Sequence, residues 1–97
     1  VDILDERQFR ETVVGRKLAM GGTWIVVSDD GKISGTGENG DEIAGTWSWD
    51  GAYFRRIVSY GRDTQPEDLQ KVVANGDQIT FVRQKGDGVA FTFTFAD

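Results

Sequence analysis

The stretch Glu42-Ile43-Ala44-Gly45-Thr46-Trp47-Ser48-Trp49-Asp50, continued by Gly51-Ala52-Tyr53-Phe54-Arg55-Arg56, decides the fold. Ile43, Gly45, Trp47 and Trp49 fall on one side of an extended chain and Ala44, Thr46, Ser48 and Asp50 on the other, the period of two that marks a half-buried strand. Asp50-Gly51 is turn chemistry, so a second strand follows at once. Val89 to Ala96 repeats the pattern: Val89, Phe91, Phe93 and Phe95 form one face, expected to be core, and Ala90, Thr92, Thr94 and Ala96 the other.

Turn signals recur at short, regular spacing on both sides of this hairpin. Gly21-Gly22, Asp29-Asp30-Gly31, Asn39-Gly40, Asn75-Gly76 and Lys85-Gly86-Asp87-Gly88 all supply residues that accept the positive φ of tight hairpins. They divide the chain into strands Arg16–Met20, Thr23–Ser28, Lys32–Glu38, Glu42–Asp50, Ala52–Tyr60, Leu69–Ala74, Gln78–Gln84 and Val89–Ala96. On Lys32–Glu38 one face carries Ile33, Gly35 and Gly37, leaving a gap that Trp47 or Trp49 from the neighbouring strand can cover. Gly61 to Glu67, with the only proline at Pro66, reads as the one true loop.

Before the strands lies one helix, expected over residues 5–15. Asp5 is placed as N-cap with Gln8 three residues on, Leu4 and Phe9 can form a hydrophobic staple, and Gly15 suits a left-handed C-terminal stop. Phe9 and Val13 share the apolar face.

The expectation is therefore a single mainly β domain over residues 1–97. It comprises a seven- to eight-stranded antiparallel meander over 16–97, curved into a small lipocalin-like barrel or half-barrel, with the short N-terminal helix over an end or flank. At this strand number side chains nearly fill the interior, so a large cavity is not expected. If the sheet stays open, edge-to-edge homodimerisation is the simplest way to satisfy it.

Composition bounds the chemistry. Eleven Lys+Arg against sixteen Asp+Glu give a net charge of -5, and the basic residues are scattered, so neither nucleic acid nor an anionic membrane is an expected partner. No apolar run approaches the roughly 20 residues of a membrane-spanning helix. With no His and no Cys, imidazole and thiolate chemistry are unavailable, and any catalysis would rest on carboxylates, hydroxyls, Tyr, Lys or Arg. The chain begins at Val1 rather than Met, the expectation for a trimmed polypeptide.

Individual motifs mostly dissolve into turns. Gly35-Thr36-Gly37-Glu38-Asn39-Gly40 matches G-x-G-x-x-G, but a strand rather than a helix follows it, so no phosphate site is read there. Asp29, Asp30, Asp41, Asp50, Asp77 and Asp87 sit at turns and lack calcium-loop order. No catalytic residue, metal ligand or cofactor is assigned. Candidate ligand-binding residues are Trp47, Trp49, Tyr53, Arg55 and Arg56, where aromatics interleave with guanidinium groups at a barrel mouth. Against this stands the reading that the tryptophans are core and the arginines lie along apolar surface with their heads in water. Arg55 and Arg56 face opposite ways, so only one can point inward, where its charge needs a partner or a ligand.

Gly22-Thr23-Trp24, Asp30-Gly31-Lys32-Ile33-Ser34-Gly35 and Gly45-Thr46-Trp47 resemble the G-x-W and D-G-x-x-x-G patterning of lipocalin-like and avidin-like barrels. Over nearly the whole chain, including Val14-Gly15-Arg16-Lys17-Leu18, Thr46-Trp47-Ser48-Trp49, Tyr53-Phe54-Arg55-Arg56 and Asp68-Leu69-Gln70-Lys71-Val72, the sequence resembles small exported bacterial proteins of unknown function, some labelled dihydrodipicolinate reductase. A reductase of that kind needs a Rossmann unit and a substrate domain, for which this chain has neither pattern nor length. The resemblance implies a strand-to-strand disulfide at the positions of Arg55 and Leu69, where this chain has no cysteine, and a periplasmic or secreted location, with the cytoplasm as the alternative.

The function expected is a non-enzymatic binding module for a small ligand at the barrel mouth. The alternative is a protein-interaction module or inhibitor working through a strand edge or the 61–67 segment.

Overall fold

The computed structural model describes residues 1–97. Its elements are β1 (Asp2–Ile3), α1 (Glu6–Thr12), β2 (Lys17–Met20), β3 (Thr23–Val27), β4 (Lys32–Thr36), β5 (Glu42–Asp50), β6 (Tyr53–Tyr60), β7 (Asp63–Asn75), β8 (Gln78–Val82) and β9 (Ala90–Phe95). Strands β2 to β9 form an antiparallel meander in which β9 returns to pair with β2, joining Leu18 to Phe95 and Ala19 to Thr94. The sheet is thus a closed eight-stranded barrel, and the short β1 adds to β7 through Asp2 opposite Val73 and Ile3 opposite Val72. Closure resolves the choice between barrel and half-barrel, leaving one side of the 63–67 stretch of β7 unpaired.

The helix begins where the caps place it. Asp5 Oδ1 accepts from the Gln8 backbone N–H at 2.8 Å, and Gln8 Oε1 accepts from the Leu4 N–H at 3.1 Å. Leu4 itself is exposed and Ile3, one residue earlier, is the buried one, so the staple position faces solvent. The helix ends at Thr12 rather than running to 15, and Gly15 at φ +84° turns the chain into β2. Phe9 and Val13 are fully buried, and α1 stands over the barrel end formed by the β3–β4, β5–β6 and β7–β8 turns.

Gly61 to Glu67 is not a loop. Tyr60 and Asp63 are register partners across a tight turn, and β7 runs on through Asp63, Thr64 and Gln65 paired with β6. Pro66 hides this continuity because a proline cannot donate to a ladder. The chain accommodates it in a β-bulge, with Val58 opposite Gln65 and Arg56 opposite Asp68, so β7 carries one residue more than β6. At thirteen residues β7 is long enough to serve two neighbours, pairing with β6 over 63–70 and with β8 over 71–75.

Neither do the tryptophans cover the glycines of β4. Gly35 and Gly45 allow neighbouring backbone to come close: a Cβ on Gly35 would run into the Trp24 carbonyl oxygen, and one on Gly45 into that of Ile57. Both lie on the inward face, where strong coiling of the wall requires a missing side chain. On β9 the aromatic face is core only in part. Phe93 is buried, Phe91 and Phe95 are half-buried, and Val89 beyond the strand is 62% exposed.

Candidate functional site

The two ends of the barrel are built differently. At the helix end, Phe9 enters the barrel and packs on Trp47, Trp49 and Phe54 at ring-centroid distances of 5.3, 5.1 and 5.1 Å. Phe54 continues the stack to Phe81 at 5.1 Å, and Phe81 meets Phe93 edge-on at 5.8 Å. Trp47 Nε1 donates to the Ser28 carbonyl at 2.8 Å and Trp49 Nε1 to that of Gly51 at 2.7 Å. Both indole N–H groups are therefore already used by the wall. Arg10 of α1 lies 4.9 Å over the Trp47 ring, and its own pKa is raised, chiefly by the Glu6 carboxylate that accepts from it.

Beyond this plug the interior is not filled. A cavity of about 280 Å³ opens at the opposite end, where Met20 and Thr23 flank the β2–β3 turn, Tyr60 ends β6 and Phe91 stands in β9. Ten of its thirteen lining residues are hydrophobic, the others being Thr23, Arg56 and Gln70. Arg56 is 7% exposed and Gln70 4% exposed, the only polar or charged residues in the buried core.

Arg56 reaches the cavity by strand parity. The tight Asp50–Tyr53 turn sets Trp49 opposite Phe54, so the inward face of β5 passes to Phe54, Arg56 and Val58 on β6. Arg55 and Tyr53 point outward. Arg55 pairs with Asp50 and lies 3.9 Å from Glu67, while Lys85 Nζ sits 5.6 Å from the Tyr53 ring. Of the five residues singled out in sequence, Trp47 and Trp49 thus belong to the plug, Tyr53 and Arg55 to the outer wall, and Arg56 alone to the cavity.

A polar group surrounds the Arg56 level. Arg56 Nη1 donates to the Pro66 carbonyl at 2.9 Å, an acceptor provided by the bulge. Asp68, opposite Arg56 in register, is occupied elsewhere: it accepts from the backbone N–H of Gln84 at 3.2 Å and from Gln70 Nε2 at 3.2 Å, and lies 3.6 Å from Arg83 Nε. These contacts fix the β8–β9 connection, where Gln84, Lys85 and Gly86 all take positive φ. Burial pushes the Arg56 guanidinium below its usual value and Arg83 adds to this, while Tyr60 and Asp68 oppose it. It remains a cation at any physiological pH.

Sequence reasoning missed Gln70, Asp68 and Arg83. Asp68 and Gln70 lie on β7, whose continuity the bulge at Pro66 conceals, and Arg83 lies in the connection after β8. For Arg56 a usable signal existed, because a two-residue Gly51-Ala52 turn alone carries the inward face from Trp49 to Phe54 to Arg56.

No cluster of three or more His, Cys, Asp or Glu side chains is placed to hold a metal ion. No helix is long and apolar enough to cross a membrane. No protein-family model, curated protein or solved structure matches the chain.

Proposed function

We propose that this chain is a small, non-enzymatic β-barrel binding module that holds a small, largely apolar molecule inside the barrel. The observation that carries this reading is the 280 Å³ void between an aromatic plug and an open mouth. Interiors pack to crystal-like density, and a void of that size leaves its apolar lining without packing partners on one side. Water can enter at the mouth, but an apolar lining satisfies water poorly. A fitted molecule supplies the missing partners.

The preference for binding over catalysis rests on the lining. Arg56 and Tyr60 are its only ionisable groups, and no carboxylate, imidazole or thiol is among the lining residues. An extracytoplasmic location is proposed on the resemblance to small exported proteins alone, since this chain lacks the cysteines that an oxidising compartment would pair. Arg55 and Leu69, where that resemblance puts a disulfide, are direct cross-strand partners. The protein-partner reading has less support. Asp63–Glu67 is a strand paired on one side by β6, and its acids and Pro66 are features that discourage addition of a further strand.

Calorimetric titration with 1-nonanol, a neutral apolar probe, tests the reading. Wild type is expected to bind one equivalent saturably, and Val58→Phe, which narrows the cavity, to weaken binding while leaving the fold intact. Absence of saturable binding, or binding indifferent to Val58→Phe, would overturn it.

A further inference from the structure

We propose that the molecule held in the barrel is an amphiphilic monoanion of about ten non-hydrogen atoms, its anionic head on Arg56 and its apolar tail running toward the mouth. The size follows from about 280 Å³ of space and the ~30 Å³ that one water occupies in the liquid. The proposal rests on the reading of the cavity as a ligand site.

The charge follows from counting guanidinium partners. Arg56 is more than nine-tenths buried, makes one side-chain hydrogen bond, to the Pro66 carbonyl, and has no carboxylate within 4.0 Å. Buried charges are ordinarily paired, because desolvation is otherwise uncompensated. The one nearby acid, Asp68, is engaged by Gln84, Gln70 and Arg83. Two guanidiniums against one carboxylate leave a single positive charge over, so one negative charge balances the site and two do not. The planar guanidinium fork favours a carboxylate head.

Orientation follows from strand order. Along the inward face of β6 the residues from plug to mouth are Phe54, Arg56, Val58 and Tyr60. The head therefore lies deeper than the tail, which passes Val58 and Ile43 on its way out. The acids Glu38 and Asp41 border a hollow shared with Thr23 and Tyr60 at the mouth. Anion recognition is thus internal, and long-range steering opposes entry. Association is expected to speed up as salt screens these acids.

The test is calorimetric titration of the intact chain with octanoate and with 1-nonanol, both close to the estimated size, on wild type, Arg56→Met and Arg56→Lys. Octanoate is expected to bind wild type more tightly than nonanol. Its affinity should fall about 10- to 100-fold in Arg56→Met, with Arg56→Lys in between, while nonanol stays within about threefold. Equal affinity of wild type for the two probes, or octanoate binding unchanged in Arg56→Met, overturns the monoanion and leaves the cavity reading standing. Failure of both probes on wild type overturns both. If Arg56→Met does not fold, carboxyl-labelled octanoate on wild type decides: its bound carboxyl should stay ionised to lower pH than the free acid, and an equal or higher midpoint overturns the proposal.

Discussion

The helix end and the mouth of this barrel use the same wall for opposite purposes. At the helix end Phe9 has ring neighbours on several sides, and the indole donors of Trp47 and Trp49 are spent on backbone carbonyls. At the mouth, Phe91 and Tyr60 are only partly covered, and Arg56 retains donors without a protein acceptor. The contrast teaches that aromatic content alone does not locate a binding site. Trp47 and Trp49 looked like the recognition surface, yet the space lies beyond them, where the wall carries smaller aliphatic residues such as Ile25, Ile43 and Val58.

Removing the plug should cost the most. Phe9→Ala takes a fully buried ring out of the aromatic cluster and is expected to destabilise by about 3–5 kcal/mol in chemical denaturation. Phe91→Ala at the mouth, where the ring already borders empty space, should cost about 1 kcal/mol or less. Equal losses would erase the distinction between the two ends.

A change in the wall between them comes next. Arg55→Cys with Leu69→Cys joins two register partners on β6 and β7, and cross-strand Cα atoms lie within disulfide reach. The oxidised double variant is expected to gain about 2–3 kcal/mol over its reduced form, measured by denaturation with and without reductant. Failure to oxidise would count against the register and the resemblance together.

The smallest effect lies at the helix end. Arg16 Nε and Nη2 donate to the Asp97 carboxylate at 3.2 Å each, holding that carboxyl below its usual pKa. Because the folded value is the lower one, the contribution to stability is present above the ordinary carboxylate range and lost as pH falls through the folded value. The pair is solvent-exposed and its contribution correspondingly small. An NMR titration should find Asp97 depressed in wild type and ordinary in Arg16→Gln.

Much of the fold was legible because it follows local rules. The Asp5 cap, the Gly-containing turns and the alternation of β5 each depend on residues close in sequence. What was hidden depends on neighbours distant in sequence. Pro66 breaks the visible period of β7, although a bulge lets the strand continue. Gly35 and Gly45 look like gaps to be filled, whereas closure of the barrel brings the Trp24 and Ile57 backbones into that space. The cavity is more remote still, since it is set by how far Phe9 reaches in and how widely the strands diverge, neither of which a hydrophobic pattern encodes. Between these extremes stands Arg56, whose inward direction was within reach from one turn and its register.

The most direct measurement is a methyl-resolved NMR titration of the wild-type chain with octanoate. Saturable shifts are expected at Met20, Ile25, Ile43 and Val58, with Ile3, Val13 and Val27 around the plug unmoved. Shifts concentrated at Ile3, Val13 and Val27, or none at the cavity methyls at saturating probe, would contradict the assignment of binding to the open end.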